Sequence, residues 1–197
     1  KAKDWEVGLL GYYVRNAAHR AFPAFPNGPY LQTVYGLMPY AKAKVGPVAL
    51  EAEVQWQGGK ARDWESGIAF ADVKIDSWSA YVDALADMGM FYAGGTVAWV
   101  MGDTDNPLTD TKLRGTLNAG RDWNPMLIMF NHDLNYWVGD ITTVTGPTTS
   151  ITDPMANAWF VAARGGVRPV ADLTIGAAVA YAWADKKPTG YDDKDYG

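Results

Sequence analysis

Cysteine is absent from this chain of 197 residues, and histidine occurs only twice. The lack of cysteine excludes disulfide scaffolds, cysteine-ligated zinc sites and thiol catalysis. Basic residues are also outnumbered, with 17 Lys and Arg against 22 Asp and Glu and a formal net charge of -5. Because nucleic-acid binding depends on a basic face, this balance argues against nucleic acid as a partner.

Long apolar runs are missing as well. No segment reaches the roughly 18 consecutive apolar residues of a transmembrane helix. The mean hydropathy of -0.17 is typical of soluble globular proteins. A transmembrane β-barrel has a similar mean, because its lipid-facing and lumen-facing residues alternate along each strand. Hydropathy alone therefore leaves one membrane class open.

Alternation of apolar and polar residues is the clearest pattern in the chain. In VALEAEVQWQ, every second residue from Val48 to Trp56 is apolar, whereas Glu51 to Gln57 in the other phase are acidic or amide residues. A period of two is that of a β-strand, and a helix does not show it. Similar alternation predicts seven strands, near residues 3–15, 30–43, 48–58, 76–86, 90–102, 156–167 and 172–184.

The connections between the predicted strands alternate in length. Short links with Gly or Pro lie at 44–47, 87–90 and 168–172, while the links near 17–28, 58–72 and 103–155 are long. Gly and Pro set turn dihedrals. Short turns at one end and long loops at the other are typical of outer-membrane barrels. The pattern therefore predicts a single domain over 1–197, an all-β, transmembrane, antiparallel up-and-down barrel.

Tryptophan placement agrees with this interpretation. Six tryptophans fall near predicted strand ends on the apolar phase: Trp5, Trp56, Trp78, Trp99, Trp159 and Trp183. Amphipathic rings at that height form the interfacial girdles of membrane barrels. The alternative is that these rings form the core of a soluble β-sandwich.

Three segments resemble one family of membrane proteins. WSAYVDALADMGMFYAGGTVAWVMGD, DWNPMLIMFNHDLNYWVGD and LTIGAAVAYAWADKKPTGYDDKDYG are similar to the porins of Geobacter-type bacteria that are related to alginate-export barrels. The resemblance covers most of residues 45–197 and is most specific in DLNYWVG and ADKKP. It implies an antiparallel outer-membrane barrel that passes solutes and carries no catalytic residues. Such proteins begin with a signal peptide and usually end on a strand with an aromatic residue. This sequence departs from that pattern at both ends, since residues 1–16 lack a long apolar stretch and Tyr196-Gly197 fall in an apparent loop. We therefore expect it to be an internal part of a larger barrel.

Residues that could carry out chemistry are few. Glu51 and Glu53 share a face, but they are neighbours on one strand, whereas glycosidases need two carboxyls facing each other across about 5–10 Å. No Gly-x-Ser-x-Gly elbow, glycine-rich phosphate loop or His-x-x-x-His pair is present. We therefore expect no enzyme activity, no cofactor and no metal site.

Two further groups of polar residues fall in predicted loops. Asp103, Asp105 and Asp110 offer oxygen ligands suited to calcium, but they lack the spacing and the terminal Glu of an EF-hand. A solvated external loop is the favoured interpretation. His19 and His132 are far apart in sequence, and zinc needs three or four ligands. Each histidine is interpreted as an ordinary loop residue.

The long loop 103–155 has an apolar, aromatic centre between polar flanks. A loop that met only water would not need so much apolar surface. Three outcomes are open: the loop folds into the barrel mouth, part of it such as 111–120 adds strands, or it forms an external cap. Inward folding predicts a constriction formed by Trp123, Met126, Phe130, Asn131, His132 and Asp133.

The expected function is a passive outer-membrane channel for small hydrophilic solutes or ions, with outer-membrane lipid around it. Val48, Leu50, Ala52, Val54 and Trp56 should then face lipid. The polar phase should line the pore: Glu51, Glu53, Gln55, Gln57, Ser77, Ser79, Tyr81, Asp83 and Arg164. The alternative is a soluble β-sandwich that binds carbohydrate on exposed aromatic rings.

Two details of the predicted sheet remain to be decided. Val73 and Ile75 are out of phase with Trp78, so either the fourth strand begins near Asp76 or a bulge resets the register there. Seven strands are also an odd number, whereas bacterial single-chain barrels have an even number. We therefore expect either an open sheet edge or closure through strands within 103–155.

Overall fold

The computed structural model describes residues 4–18, 29–65, 71–103, 111–114, 123–127, 129–131, 133 and 155–187. Strands make up the regular structure of these residues. They are β1 (Trp5–Asn16), β2 (Tyr30–Val45), β3 (Val48–Trp64), β4 (Val73–Met88), β5 (Phe91–Val100), β6 (Lys112–Leu113), β7 (Ala158–Val170) and β8 (Leu173–Ala184).

All eight strands belong to one sheet. Its order is β1-β2-β3-β4-β5-β7-β8, and each of these seven strands is antiparallel to its neighbours. The two-residue β6 pairs with β4 in parallel, opposite Lys74 and Ile75, where the pairing of β4 with β5 has ended. The predicted all-β, antiparallel up-and-down class is therefore confirmed.

Three tight turns join neighbouring strands at one end of the sheet. They lie at 46–47, 89–90 and 171–172. Gly46 and Gly89 have φ angles of 59° and 78°, the left-handed region that other residues rarely adopt. The remaining connections, 17–29, 65–72 and 101–157, are longer and leave from the opposite end. Since seven strands alternate in direction, every long connection lies at that end, which we call the loop end.

The third and fourth strands differ from their predicted bounds. β3 was predicted to end near 58 but continues to Trp64, and β4 begins at Val73 rather than near Asp76. β4 keeps one phase throughout, so Ile75 lies on the same face as Ser77 and is buried. The register shift lies in β3, between Lys60 and Arg62. The strand therefore does not begin near Asp76, and the irregularity of register lies in β3 opposite Val73 and Lys74 rather than in β4. Ile75 keeps the inner phase because it packs in an apolar cluster on that face.

That apolar cluster is one of two small cores formed by the described residues, and both lie on the polar phase of the sheet. At the loop end of β2 to β4, Val34, Ala61 and Ile75 are buried together with Leu113 of β6 packed against them. The second core contains Ala98, Met155, Ala158 and Phe160. Leu113 explains why a strand forms inside the long loop: its side chain adds apolar surface to the first core.

The burial of the two faces is the reverse of that in a soluble protein, because the apolar face is exposed and the polar face is buried. Large apolar residues of one face are exposed, among them Val7, Leu9, Val82, Val97 and Val179. On the other face, the polar residues Gln55, Gln57, Ser77 and Thr96 are buried. Soluble sheets bury the apolar face. We call the exposed apolar side the outer face and the other side the inner face.

Among the described residues, the sheet is not closed. In the part of the chain that the structure describes, β1 pairs with β2 and β8 pairs with β7, so these two strands are the edges. This agrees with the expectation of an open edge. The soluble-sandwich alternative requires a second sheet over the tryptophan-bearing face, and the described strands all belong to a single sheet.

Candidate functional site

The nine residues predicted to line a pore share the inner face. Directly opposed pairs in the β3–β4 ladder join Glu51 to Asp83, Glu53 to Tyr81, Gln55 to Ser79 and Gln57 to Ser77. Opposed residues of neighbouring strands project to the same side of a sheet. Arg164 of β7 reaches the same side and contacts Asp83. Alternation in sequence therefore placed the polar set on one surface.

Arg164 and Asp83 form the centre of a hydrogen-bonded network across three strands. The Arg164 guanidinium donates to both carboxylate oxygens of Asp83, at 2.8 and 2.7 Å, and to Thr96 Oγ1 at 2.9 Å. Thr96 Oγ1 in turn donates to Asp83 Oδ1 at 2.5 Å. Two-point pairing between guanidinium and carboxylate fixes geometry as well as charge. Thr96 was not predicted as a site residue, although it lies within the predicted strand 90–102, and β5 places it opposite Asp83 on this face.

A second charged group lies on the neighbouring strands. Lys42 Nζ is 3.3 Å from Glu51 Oε1, and the Tyr40 hydroxyl donates to Glu6 at 2.8 Å. These residues line a cavity of about 310 Å³ that also touches Glu53 and Tyr81. Because the Lys42–Glu51 pair is half exposed, it adds little to stability. Its main effect is on the local field along the inner face.

Two glutamines are buried between these charges and the loop end. Gln55 is 4% exposed, and its carbonyl accepts a hydrogen bond from Ser79 Oγ at 3.1 Å. Gln57 donates to the Tyr12 hydroxyl at 2.5 Å, while its own Oε1 is buried with no partner among the described residues. The Tyr12 ring lies over Gly36, where any Cβ would overlap the ring. That close approach brings the Tyr12 hydroxyl to Gln57.

Residues 123–127, 129–131 and 133 of the long loop, which we call the loop segment, include aromatic side chains that pack on the inner face. The Trp123 ring lies 5.6 Å from that of Phe160 and 6.5 Å from that of Tyr81, measured between centroids. The Phe130 and Phe160 rings are 5.9 Å apart, and Met126 packs on the same core. Three of the six predicted constriction residues, Trp123, Met126 and Phe130, therefore contact the inner wall.

The remaining predicted constriction residues behave differently. Asn131 donates from its amide to the backbone oxygens of Met126 and Leu127, both at 3.1 Å. Asp133 accepts from the Asn124 amide at 2.7 Å. Both side chains thus form hydrogen bonds within the loop segment itself. His132 lies outside the described residues.

A cavity of about 360 Å³ lies between the inner wall and the loop segment. Its polar lining comes from Glu53, Gln55, Ser79 and Tyr81, and Trp123 contributes an aromatic ring. The volume falls at the lower end of the roughly 300–1,000 Å³ range of small-molecule sites. The sequence could not predict this cavity, because it forms only when the loop returns to the wall.

Five of the six tryptophans form a row across the outer face. Ring centroids are 6.3 Å apart for Trp56 and Trp78, 5.8 Å for Trp99 and Trp159, and 6.2 Å for the stacked Trp159 and Trp183. Trp56 is opposite Trp78, and Trp99, Trp159 and Trp183 are in register with one another. Because Trp99 is opposite Ala80, the row steps by two residues between β4 and β5.

Asp185, just beyond β8, holds part of this row. Its carboxylate accepts hydrogen bonds from the indole N–H groups of Trp99 and Trp159 and from the backbone N–H of Gly102, all at 2.9 Å. Burial by itself opposes ionisation of Asp185, but these three donors outweigh it and lower the pKa of the carboxyl below its usual range. Nothing in the sequence marked Asp185 as a partner of Trp99, Gly102 and Trp159, which are 86, 83 and 26 positions away.

Other chemistry is not evident in the described residues. They contain no group of three or more His, Asp or Glu placed to hold a metal ion, and no helix among them is long and apolar enough to cross a membrane. Asp103 accepts a hydrogen bond from the Arg114 N–H at 3.0 Å, while Asp105, Asp110 and His19 lie outside the described residues. Comparison with protein-family models, curated proteins and solved structures finds no match to this chain.

Proposed function

We propose that this chain forms the wall of an outer-membrane β-barrel channel for small hydrophilic solutes or ions. The observation that carries the proposal is the opposite burial of the two faces. Val82 is 51% exposed on the outer face, whereas Gln55 is 4% exposed on the inner face. Leaving many large apolar side chains in water is costly at about 25 cal/mol per Å². Hydrocarbon around the outer face removes that cost.

The dimensions of the outer face support the same proposal. From Val48 to the tryptophan row at Trp56, β3 has about nine residues, within the ~9–11 of a tilted membrane strand. Amphipathic rings in a band near the loop end of the outer face suit the boundary between lipid and water. Between the tryptophan row and the loop end, Lys60 pairs with Asp63 and Asp72 at 2.7 and 2.8 Å. On β3, the charged residues of the outer face therefore begin on the loop-end side of the tryptophans.

The inner face supplies a polar wall for a solute path. Its network of Arg164, Asp83 and Thr96 lies beside Glu51 and Lys42 on neighbouring strands, so both signs of charge are present on one wall. Such a wall tunes ion preference in channels. The resemblance to porins of the alginate-export type agrees with this arrangement.

The loop segment that contains Trp123 and Phe130 narrows the proposed path. It covers the inner face around Phe160, whose side chain is completely buried. Loops that fold inward partly fill the lumen of many barrels. We therefore expect replacement of Trp123 and Phe130 by serine to raise single-channel conductance in planar bilayers.

A pair of lysine substitutions on β4 tests the membrane assignment. Val82→Lys places a charge in the middle of the outer face, where lipid should make it cost about 2–4 kcal/mol. Ser79→Lys places the same charge on the inner face, beside the carboxylate of Glu53 in the cavity wall. In lipid vesicles, Val82→Lys should therefore lower the free energy of unfolding more than Ser79→Lys does. Equal stability of both would contradict the proposal.

Channel activity is tested by reconstitution. The purified protein should need detergent to remain in solution and should give discrete conductance steps in planar bilayers. A protein that stays monodisperse in buffer without detergent and gives no steps would overturn the proposal in favour of the soluble carbohydrate-binding alternative.

A further inference from the structure

Charged side chains form a belt across the inner face, between the tight turns and the tryptophan row. Lys42 pairs with Glu51 and Arg164 pairs with Asp83. Glu51 and Asp83 are directly opposed in the β3–β4 ladder, and like charges on opposed residues destabilise a sheet. In this charged belt, each carboxylate has a cation from a strand on the side away from the other carboxylate. Loss of either cation therefore leaves two adjacent carboxylates with one positive charge.

Arg164 reaches its carboxylate diagonally across β5. In register, Arg164 lies opposite Gly94 of β5, whereas Asp83 lies opposite Thr96. The guanidinium is held by two hydrogen bonds to Asp83 and one to Thr96 Oγ1. Its side chain is 33% exposed, against 22% for Asp83, so the cation is the more accessible member of the pair. A solute at the inner wall therefore meets a positive group whose position and net charge both depend on Asp83.

The height of this pair on the wall increases its effect on a solute. Asp83 follows Val82 in β4, in the middle of the face that the proposed function places against hydrocarbon. Walls of low dielectric constant focus the field of a charge into the water between them. A second pair of the same chemistry, Asp87 with Arg168, lies beside the β4–β5 turn, where Asp87 is 54% exposed. Bulk water and salt screen charges in such a position.

From these observations we propose that Asp83 masks the positive charge of Arg164 on the inner wall and thereby determines which sign of ion the channel favours. With Asp83 present, the pair carries no net charge. Without that carboxylate, Arg164 presents a positive charge that attracts anions and repels cations. The inference about ion preference rests on the proposed function, whereas the masking of Arg164 is a property of the folded wall in detergent as well.

Reversal potentials in a potassium chloride gradient test the ion preference. Asp83→Asn should lower the ratio of potassium to chloride permeability about twofold or more, and Arg164→Met should raise it about as much. Removing both charges in the double variant should return the ratio to that of the unaltered protein. If Asp83→Asn conducts with an unchanged ratio, or if both single substitutions shift the ratio in the same direction, the inference is overturned.

The pair at the turn supplies the matched control. Asp87→Asn makes the same change of charge beside an arginine, but at an exposed position. It should shift the permeability ratio less than Asp83→Asn does, because water screens the arginine that it leaves. A shift as large as that of Asp83→Asn would show that total charge, rather than the masking of Arg164, sets the preference. Circular dichroism spectra verify that each variant is folded.

Chemical modification of arginine tests the masking without conduction. Phenylglyoxal reacts with accessible guanidinium groups, and mass spectrometry of peptides locates the modified residues. In the detergent-solubilised protein, Asp83→Asn should raise the modification rate of Arg164 severalfold and leave that of Arg168 unchanged. An unchanged rate at Arg164 would overturn the masking. Faster modification of Arg164 in a protein that gives no conductance steps would contradict the channel and still support the masking.

Discussion

Phe160 and Arg164 lie on the same face of one strand, four residues apart, yet their surroundings are opposite. Phe160 is covered by Trp123 and Phe130 of the loop segment and is fully buried. No described loop residue belongs to the hydrogen-bonded network of Arg164, which takes its partners, Asp83 and Thr96, from neighbouring strands. Both positions belong to one polar phase of the sequence.

The difference shows what alternation does and does not determine. It decides the side of the sheet to which a side chain points. It does not decide what packs above that side, because a loop from elsewhere in the chain supplies the cover. An aromatic residue under the loop stabilises by burial, whereas a charged residue in the open region stabilises through paired hydrogen bonds.

The covered region should give the largest loss when it is broken. Phe160→Ala removes a fully buried ring and leaves a cavity between the wall and the loop, so we expect a loss of about 3–5 kcal/mol in the free energy of unfolding. Guanidinium unfolding in detergent, followed by tryptophan fluorescence, measures it. Val161→Ala, on the opposite face of the same strand, is the control. Losses of equal size would show that the loop adds nothing to the burial of Phe160.

Breaking the open region should cost less. Arg164→Met removes both hydrogen bonds to Asp83 and leaves that partly buried carboxylate without its cation, for an expected loss of about 1–3 kcal/mol. Arg168→Met is a matched control, because Arg168 pairs with the more exposed Asp87 beside the β4–β5 turn. We expect about 1 kcal/mol or less there. A larger loss for Arg168→Met would reverse this order.

The smallest expected effect concerns the rim of the outer face. The lowered pKa of Asp185 means that its hydrogen bonds stabilise the fold above the unfolded pKa of about 3.9 and are lost as pH falls through the folded value. Asp185→Asn should therefore cost about 1 kcal/mol at pH 7. The stability of the Asp185→Asn variant should also fall less than that of the unaltered protein between pH 5 and 3. Thermal unfolding across that pH range measures the difference, and parallel pH profiles would contradict it.

Much of the sheet could be predicted, because each strand carries its own pattern. The seven long strands overlap the predicted ranges, and the turns at Gly46 and Gly89 lie where their glycines indicated. The shared face of Glu51, Gln55 and Ser79 followed from a period of two. The start of β4 could not be predicted, since Ile75 faces a local apolar core formed with Val34 and Ala61.

Contacts between distant segments were beyond the sequence. Alternation marked Thr96 as inward-facing, but the pairing of Asp83 with Arg164 across 81 positions depends on the order of strands. The partnership of Asp185 with Trp99 depends on the height at which the two strands end. The two residues of β6 carry no strand pattern of their own. The strand forms because Leu113 packs beside Ile75.

By itself, the sequence determined the strands, the turns and the division into an apolar and a polar face, because these depend on neighbours only two to four positions apart. The tertiary structure alone decided which inner residues are covered, which charges meet, and that a cavity remains between Glu53 and Trp123. These features depend on where the long connection between β5 and β7 returns to the sheet. A connection of that length has many conformations, and packing on Phe160 selects among them.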